Sequence, residues 1–594
     1  MLRIEAHLPP AHAAGAENLS IELTALGDFE ASTLTTKIAA GDARDLQLPF
    51  PAGTKAVSAR VGSSAQGFVG LGRAGTGGSI DVLLWRSGEP TELWPPPEAA
   101  FPGQVLGVSL GVDARRRTLL VAGALVATAD ASRALTVSLA TGRAEEVAEG
   151  MLPARAFASI TPFGADAMLV AGGVDPTLSG GDLATSPPLA SASIFLTKEA
   201  RFDRARVIAL AQPRTRHASV VLESGETLLV GGAGPGGIPL ATLEVVSPHD
   251  TSARIAGLAT LGSPRERPRA LRLSDGRVFV GGGTISGATV GLLEWLTPDA
   301  RSLTFVQGGL VLAESHSFAA MPGGGVLGVG VCVPKSVQIC SGDVPKRSVV
   351  WLRKSGAIDL LPPLIFTPSS ASLIDANDGT PWLHARAGST TVFRRFDPWT
   401  GRFEEPAERP EQGPDADLPA PLGVDTGAFV WLERGLVGAL RGFRHGVRGS
   451  FARDLAPLLF ASRDQVVPGH FPGIFSDSGI EYSAAGLGLA GADAGAFVAD
   501  TDYADVDLEL TLTSGPPPAV LMGQTRVGGS ECPWSSVEVA DPGEVLTLRR
   551  RGSMAVLERK GASRSCAVED GRVTLGLAAA DSATFVRSFE IRRR

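Results

Sequence analysis

The stretch TRHASVVLESGETLLVGGAGPGGIPLATLEVVSP, from Thr215 to Pro248, decides the fold. A histidine precedes a short apolar run, Ser-Gly turns the chain, and a second apolar run ends in Gly231-Gly232. A Gly/Pro loop then leads to a third run, LEVV. Short runs rich in Val and Leu, bounded by Gly and Pro, read as strands joined by tight turns. One small sheet of this kind leaves both faces uncovered, so the segment needs neighbours of its own type.

Those neighbours are present. Second runs ending in glycine recur as RTLLVAG at Gly123, AMLVAGG at Gly173, TLLVGG at Gly232, RVFVGGG at Gly283 and GVLGVG at Gly330, with a weaker PWLHARAG at Gly388. Val121, Val170, Val230 and Val280 mark the first four, at spacings of 49, 60 and 50 residues. Each is flanked by a run before it and one after it, and a fourth, such as RSLTFVQG or AIDLLPP, often closes the unit. A period near ~50 residues with four strands per unit is the pattern of kelch repeats. The span 104–405 resembles a kelch-type β-propeller through its Gly-Gly pairs, the Arg216-His217 before strand one, and DPWTGRF from Asp397 to Phe403. The resemblance implies sheets arranged radially around a channel; six units are counted and a seventh is left open.

The flanks are also strand-like. Residues 1–92 alternate in LRIEAHL and NLSIELTAL, as a small immunoglobulin-like β-sandwich would. WPPPEAAFPG, from Trp94 to Gly103, breaks the chain, because proline cannot donate to a ladder. An acidic, Pro-rich stretch at 404–423 ends the repeat. Residues 424–594 resemble a concanavalin-like or laminin-G-like jelly roll through YADVDLELTL, the pair EVLTLRRRG-SMAVLERKG, and ATFVRSFEIRR. The expected fold class is all-β, with domains at 1–92, 104–405 and 424–594.

A chain of 594 residues with 44% apolar and 20% charged residues can bury several cores. The net charge of −8 and the lack of a basic face argue against a nucleic-acid partner. No apolar stretch reaches the ~18 residues of a transmembrane helix. Four cysteines form two local pairs, Cys332 with Cys340 and Cys532 with Cys566, neither with zinc-site spacing. They are expected as disulfides, which places the protein in an oxidising compartment: exported, periplasmic, outer-membrane-attached or extracellular. MLRIEAHLPP is not a signal peptide, so export implies a signal that preceded Met1.

Catalytic motifs are few. The copper-radical oxidases of the kelch family need propeller tyrosines, and this chain has two tyrosines, Tyr482 and Tyr503, both outside the repeat. No Asp-box of the sialidases is present. GGAGPGGIP lacks the Lys-Ser/Thr of a phosphate loop and reads as a turn. The eight histidines include no HxH or HExxH. His217 and His316 take equivalent places in two units and, with Arg155, Arg216 and Arg269, form the candidate binding set at the channel mouth; the other reading is hydrogen bonding within the repeat. Asp500, Asp502 and Asp505 in ADTDYADVDLE offer oxygen ligands suited to calcium, or the solvated edge of a strand. No other cofactor is expected. Insertions between strands two and three, at 174–191, 233–240 and 331–347, emerge on one face of a propeller and mark it as the binding face.

The expected function is that of a non-enzymatic, exported or cell-surface adhesion or scaffold protein that binds a protein or polysaccharide at the cell envelope. Two alternatives stand beside it: a carbohydrate-active hydrolase or lyase with its site at the channel mouth, and a structural subunit of a surface assembly.

Overall fold

The structure is a computed structural model. It describes residues 132–397 apart from short loop segments, and outside that span mainly the strands and a few turns; 8–18, 445–472 and 498–505 lie outside the described residues.

The repeat forms a β-propeller of seven antiparallel sheets. Blade one runs Val105–Asp113, Thr118–Leu125, Ala134–Ser138 and Ala144–Glu146 from the channel outward. The innermost strands of the next blades are Ser159–Pro162, Ala218–Val221, Arg269–Arg272, Val311–Ala320 and Ser370–Asp375. Blade seven is Leu422–Asp425, Ala428–Glu433 and Ala439–Arg444, completed on its outer edge by Thr91–Trp94 from far upstream. Register partners at that seam are Arg441 with Glu92 and Gly442 with Thr91. Innermost strands neighbour one another in chain order, and that of blade seven neighbours that of blade one, so the ring is closed.

Sequence-based boundaries shift accordingly. Strands at 422–444, assigned by sequence to a C-terminal sandwich from 424, belong to the propeller, as does the segment 91–94. Within 404–423, Ala407–Arg409 pairs with the third strand of blade six.

Burial explains why the ring closes. Each of the seven blade-to-blade interfaces has its own apolar cluster. Leu169, Ile194 and Ile208 of blade two meet Leu229 and Val246 of blade three. Phe279 and Trp295 of blade four meet Phe318 and Val350 of blade five. Ile374, Trp382 and Phe393 of blade six meet Phe429 and Trp431 of blade seven. The seam between blades seven and one also takes in Leu83, Trp85 and Leu93 from the N-terminal side. Burying one such Leu or Phe contributes about 1.5–3 kcal/mol, and no sheet could bury both its faces alone.

Before the propeller lie a three-stranded sheet, with Leu2–His7 between Leu46–Leu48 and Ser79–Leu83, and a five-stranded sheet running from Ala31–Ile38 to Trp85–Arg86. After it lie two antiparallel sheets of five and seven strands; the larger pairs Val506–Ser514 with both Val545–Arg551 and Thr584–Arg593. No helix among the described residues is long and apolar enough to cross a membrane.

Candidate functional site: the loop-bearing face and the channel mouth

Strand one of each blade starts, and strand two ends, on the same side of the ring. Isolated bridges tie the two points together: Ala156 to Val174, Thr215 to Ala233 and Glu266 to Thr284. The linkers between blades and the insertions between strands two and three therefore share one face.

Just before strand one, Phe157, Arg216 and Arg267 hold left-handed φ values of 55°, 50° and 54°, and Gly107 holds 69° at the corresponding place in blade one. Their peptides form a girdle along the mouth from blade one to blade four. Phe157 N–H donates to Gly107 O (2.7 Å), Arg216 N–H to Phe157 O (3.3 Å) and Arg267 N–H to Arg216 O (2.8 Å). The Arg216 guanidinium lies 4.9 Å over the Phe157 ring and pairs with Glu266 at 3.5 Å.

Beneath the girdle, Arg155, Arg214 and Arg265 repeat one interaction. Each Nη1 donates to the carbonyl of the glycine seventeen residues on: Gly172 (2.9 Å), Gly231 (2.8 Å) and Gly282 (3.3 Å). Arg214 pairs with Glu244 at 2.5 Å and Arg265 with Glu294 at 2.6 Å, all four side chains wholly buried. Burial pushes the Glu294 carboxyl up and the Arg265 guanidinium down, and their mutual attraction opposes both shifts. In blade two a serine stands in the carboxylate's place. Arg155 donates to Ser191 Oγ (2.9 Å) and Ser193 Oγ (3.1 Å), and burial lowers its pKa to about 10. Arg155 is fully buried and spends these donors inside its own blade, so it is not available to a ligand. That corrects its expected place in the binding set.

Backbone carbonyls and the two histidines together crowd the glycines that end strand two: a Cβ on Gly172, Gly173, Gly231, Gly232 or Gly283 would meet a carbonyl oxygen of the linker before strand one of its own or the next blade. A Cβ on Gly172 would meet the His217 ring at 2.8 Å, and one on Gly232 would meet His217 Cβ at the same distance. A Cβ on Gly282 would overlap the His316 ring, and one on Gly330 would strike His316 Cα. Gly172 and Gly282 thus make room for the next blade's histidine, and Gly232 and Gly330 for that of their own blade; all four have positive φ. His217 is buried, with Nε2 2.8 Å from Ser159 Oγ and no hydrogen bond at Nδ1. Burial, reinforced by Arg214, lowers its pKa to about 3, so it is neutral. His316 Nδ1–H donates to Ala313 O at 2.6 Å, and burial lowers its pKa as well.

Arg216, Arg269 and His316 are the members of the sequence-derived set that stay half-buried rather than sealed. Arg269 opens the innermost strand of blade four; burial lowers its pKa, opposed by the charge of Asp375 on the innermost strand of blade six. The Nε of both Arg216 and Arg269 has no hydrogen-bond partner. Sequence reading missed Arg214 and Arg265 with their glutamates. The available signal was Glu244 and Glu294, two charges at one phase inside otherwise apolar third strands.

Both disulfides form, Cys332–Cys340 and Cys532–Cys566, and no described cysteine is free. The first clips the blade-five insertion on the loop-bearing face. Asp500, Asp502 and Asp505 lie outside the described residues, among which no cluster of His, Cys, Asp or Glu is grouped to hold a metal ion.

No known protein family matches the sequence. No curated protein matches it either. Among solved structures, one described as "Structure of YjhT" is similar over 50% of this chain and 96% of its own, at 9% identity and a TM-score of 0.35. Another, "Streptogramin B lyase structure", is similar over 58% of this chain and 94% of its own, at 10% identity and a TM-score of 0.38. Likeness at this level assigns no substrate. One of these neighbours is described as a lyase, and the expectation of a non-enzymatic protein is withdrawn.

Proposed function

We propose that the loop-bearing face, centred on the channel mouth, is where this protein binds its ligand, a protein or polysaccharide outside the cytoplasm. The observation that supports this reading most is convergence. Insertions of blades two to five and the linkers between blades meet on one side, tied down by the peptide girdle and the Cys332–Cys340 clip. Loops held in shape before binding lose less entropy when they bind. Two disulfides support an oxidising compartment and hence export.

A second reading puts chemistry at the same mouth: a carbohydrate-active hydrolase or lyase. It is favoured by Arg269 and by the hydrogen-bonded Ser159–His217 pair, all placed where innermost strands begin on that face. The sheets at either end, including the proposed jelly roll and the proposed calcium ligands Asp500, Asp502 and Asp505, would then serve as docking or glycan modules.

A glycan array and a protein interaction screen with wild type and Arg216→Gln/Arg269→Gln test the site. Loss of more than about tenfold in affinity supports it. Unchanged binding places the ligand elsewhere. Release of reducing or unsaturated sugar ends by wild type alone establishes turnover.

A further inference from the structure

One position of the innermost strand repeats from blade one to blade five. Ser109, Ser159, Ala218, Arg269 and Ser317 stand opposite Ala122, Ala171, Val230, Gly281 and Val329, each one residue before Gly123, Gly172, Gly231, Gly282 or Gly330. The three serines tie their blade to the next. Ser109 Oγ–H donates to Ala158 O (2.5 Å), Ser159 Oγ lies 2.8 Å from His217 Nε2, and Ser317 Oγ accepts Leu373 N–H at 2.8 Å. Blade four puts a long cation, Arg269, where a short hydroxyl makes that tie elsewhere. Alternation along the strand sets Arg269 on the side of Leu271, which packs into the cluster shared by blades four and five. The histidine of blade five is there as well, since a Cβ on Gly282 would overlap the His316 ring. His316 is not tied to Arg269 as His217 is to Ser159: its Nδ1–H goes to Ala313 O. Among the described residues Arg269 makes no hydrogen bond and no ion pair, and its Nε is sealed from solvent without a partner.

The mouth also comes apart at this boundary. The last peptide bond of the girdle runs from Arg267 N–H to Arg216 O, and among the described residues none continues it from blade four to blade five. The innermost strand of blade five is irregular at that point, its register shifting between Leu312 and Ser317. Such bulges re-aim side chains and are common beside binding sites. On this one, Ser315 precedes His316 as Arg216 precedes His217, and the Ser315 Oγ is buried without a hydrogen-bond partner. Two sets of unspent donors, on Arg269 and Ser315, therefore flank one gap. The other charges around it are accounted for. Arg265 is paired with Glu294 and Arg216 with Glu266, while Arg267 and Glu314 stand in solvent. Burial keeps His316 neutral, and Asp375 acts on Arg269 from blade six.

We infer that the gap between blades four and five receives a carboxylate of the ligand, held by the Arg269 guanidinium and by Ser315 Oγ–H. This inference rests on the proposed binding face and names the group that the face receives. A guanidinium drawn out of water with no acceptor is costly, and so is a buried hydroxyl with no partner; one carboxylate answers both. The planar fork of arginine matches the two oxygens of a carboxylate. A neutral guest such as an amide or a sugar hydroxyl would leave the charge of Arg269 uncompensated. A dianion such as sulfate would bring a second negative charge under the field of Asp375, and Arg216, another half-buried cation of the mouth, is already paired.

The test titrates the full chain with sodium acetate, at an ionic strength held constant with sodium chloride. The readout is the side-chain Nε–H resonance of Arg269, identified by its loss in Arg269→Lys. Acetate is expected to shift it saturably, acetamide and chloride are not, and sulfate is expected to bind more weakly than acetate. Ser315→Ala, folded by its unchanged denaturation midpoint, is expected to weaken acetate binding by about threefold or more. Acetate is also expected to raise the denaturation midpoint of the wild type over that in acetamide, and to leave that of Arg269→Gln unmoved. No saturable shift, an equal shift with acetamide or chloride, tighter binding of sulfate, or wild-type acetate affinity in Ser315→Ala would overturn the inference. Binding of the macromolecular ligand that is lost in Arg216→Gln and kept in Arg269→Gln would overturn it while leaving the face as the site. Acetate bound at Arg269, with ligand binding indifferent to both substitutions, would overturn the proposed binding face and leave the carboxylate site standing.

Discussion

Arg214 and Arg265 are charges placed where no water reaches them, and Glu244 and Glu294 are the reason they can be there. Breaking a buried pair from one side leaves an uncompensated charge at a cost of about 3–5 kcal/mol, so Glu244→Gln is expected to lower stability by that order in chemical denaturation. Glu226→Gln removes the partly exposed pair with Arg254 and is expected to cost less than about 1 kcal/mol. His384 makes the matching case for a neutral group. It is fully buried, stacked 4.7 Å from Phe393, has no hydrogen bond at either ring nitrogen, and its pKa is lowered by burial to about 3. Unfolded, a histidine titrates near ~6.5, so below that pH the unfolded state binds the extra proton. The stability that neutral His384 and His217 allow is complete above that pH and declines as pH falls toward about 3. Denaturation midpoints measured from pH 7 to pH 4 should fall less steeply for His384→Phe than for wild type; parallel slopes would contradict this.

At the scale of elements, the glycine pairs are geometric necessities. Gly282→Ala adds both a Cβ at positive φ and an overlap with the His316 ring, and is expected to cost more than Gly225→Ala, where φ is also positive but nothing lies within 4 Å. The difference between the two midpoints isolates the clash. Much of this was readable beforehand: the phase of the Gly-Gly pairs located strand two in the best-formed blades, and the half-cystines paired as expected. For Arg155 and His217 the sequence left two readings open, ligand binding at the mouth and hydrogen bonding within the repeat, and the structure has them in the second. A sequence shows that residues share a phase but not whether that phase points into a channel or between sheets, and these point inward against backbone carbonyls and glycines.

At the scale of the molecule, blade seven escaped the repeat pattern for two physical reasons. Its second strand, Ala428–Glu433, ends in no glycine pair, and its fourth strand, Thr91–Trp94, is supplied from the other end of the propeller. No periodicity can reveal a strand that is out of sequence order. Such a seam makes the ring depend on its N-terminal approach: removing residues 1–94 exposes the edge of Ala439–Arg444 and uncovers Val430 and Leu432, which pack with Leu93. The truncated chain is expected to lose cooperative unfolding or to aggregate, measured by calorimetry and light scattering, because an unpaired edge beside an apolar face invites association.

The closed ring of seven sheets carries everything else, and hydrogen exchange of the intact protein reads it directly. Amides of Thr91–Trp94 should be protected to the same degree as those of Ala428–Glu433 in the same sheet, because one opening event would release both. Exchange of Thr91–Trp94 at the rate of a free linker, with Ala428–Glu433 still protected, would contradict the closure.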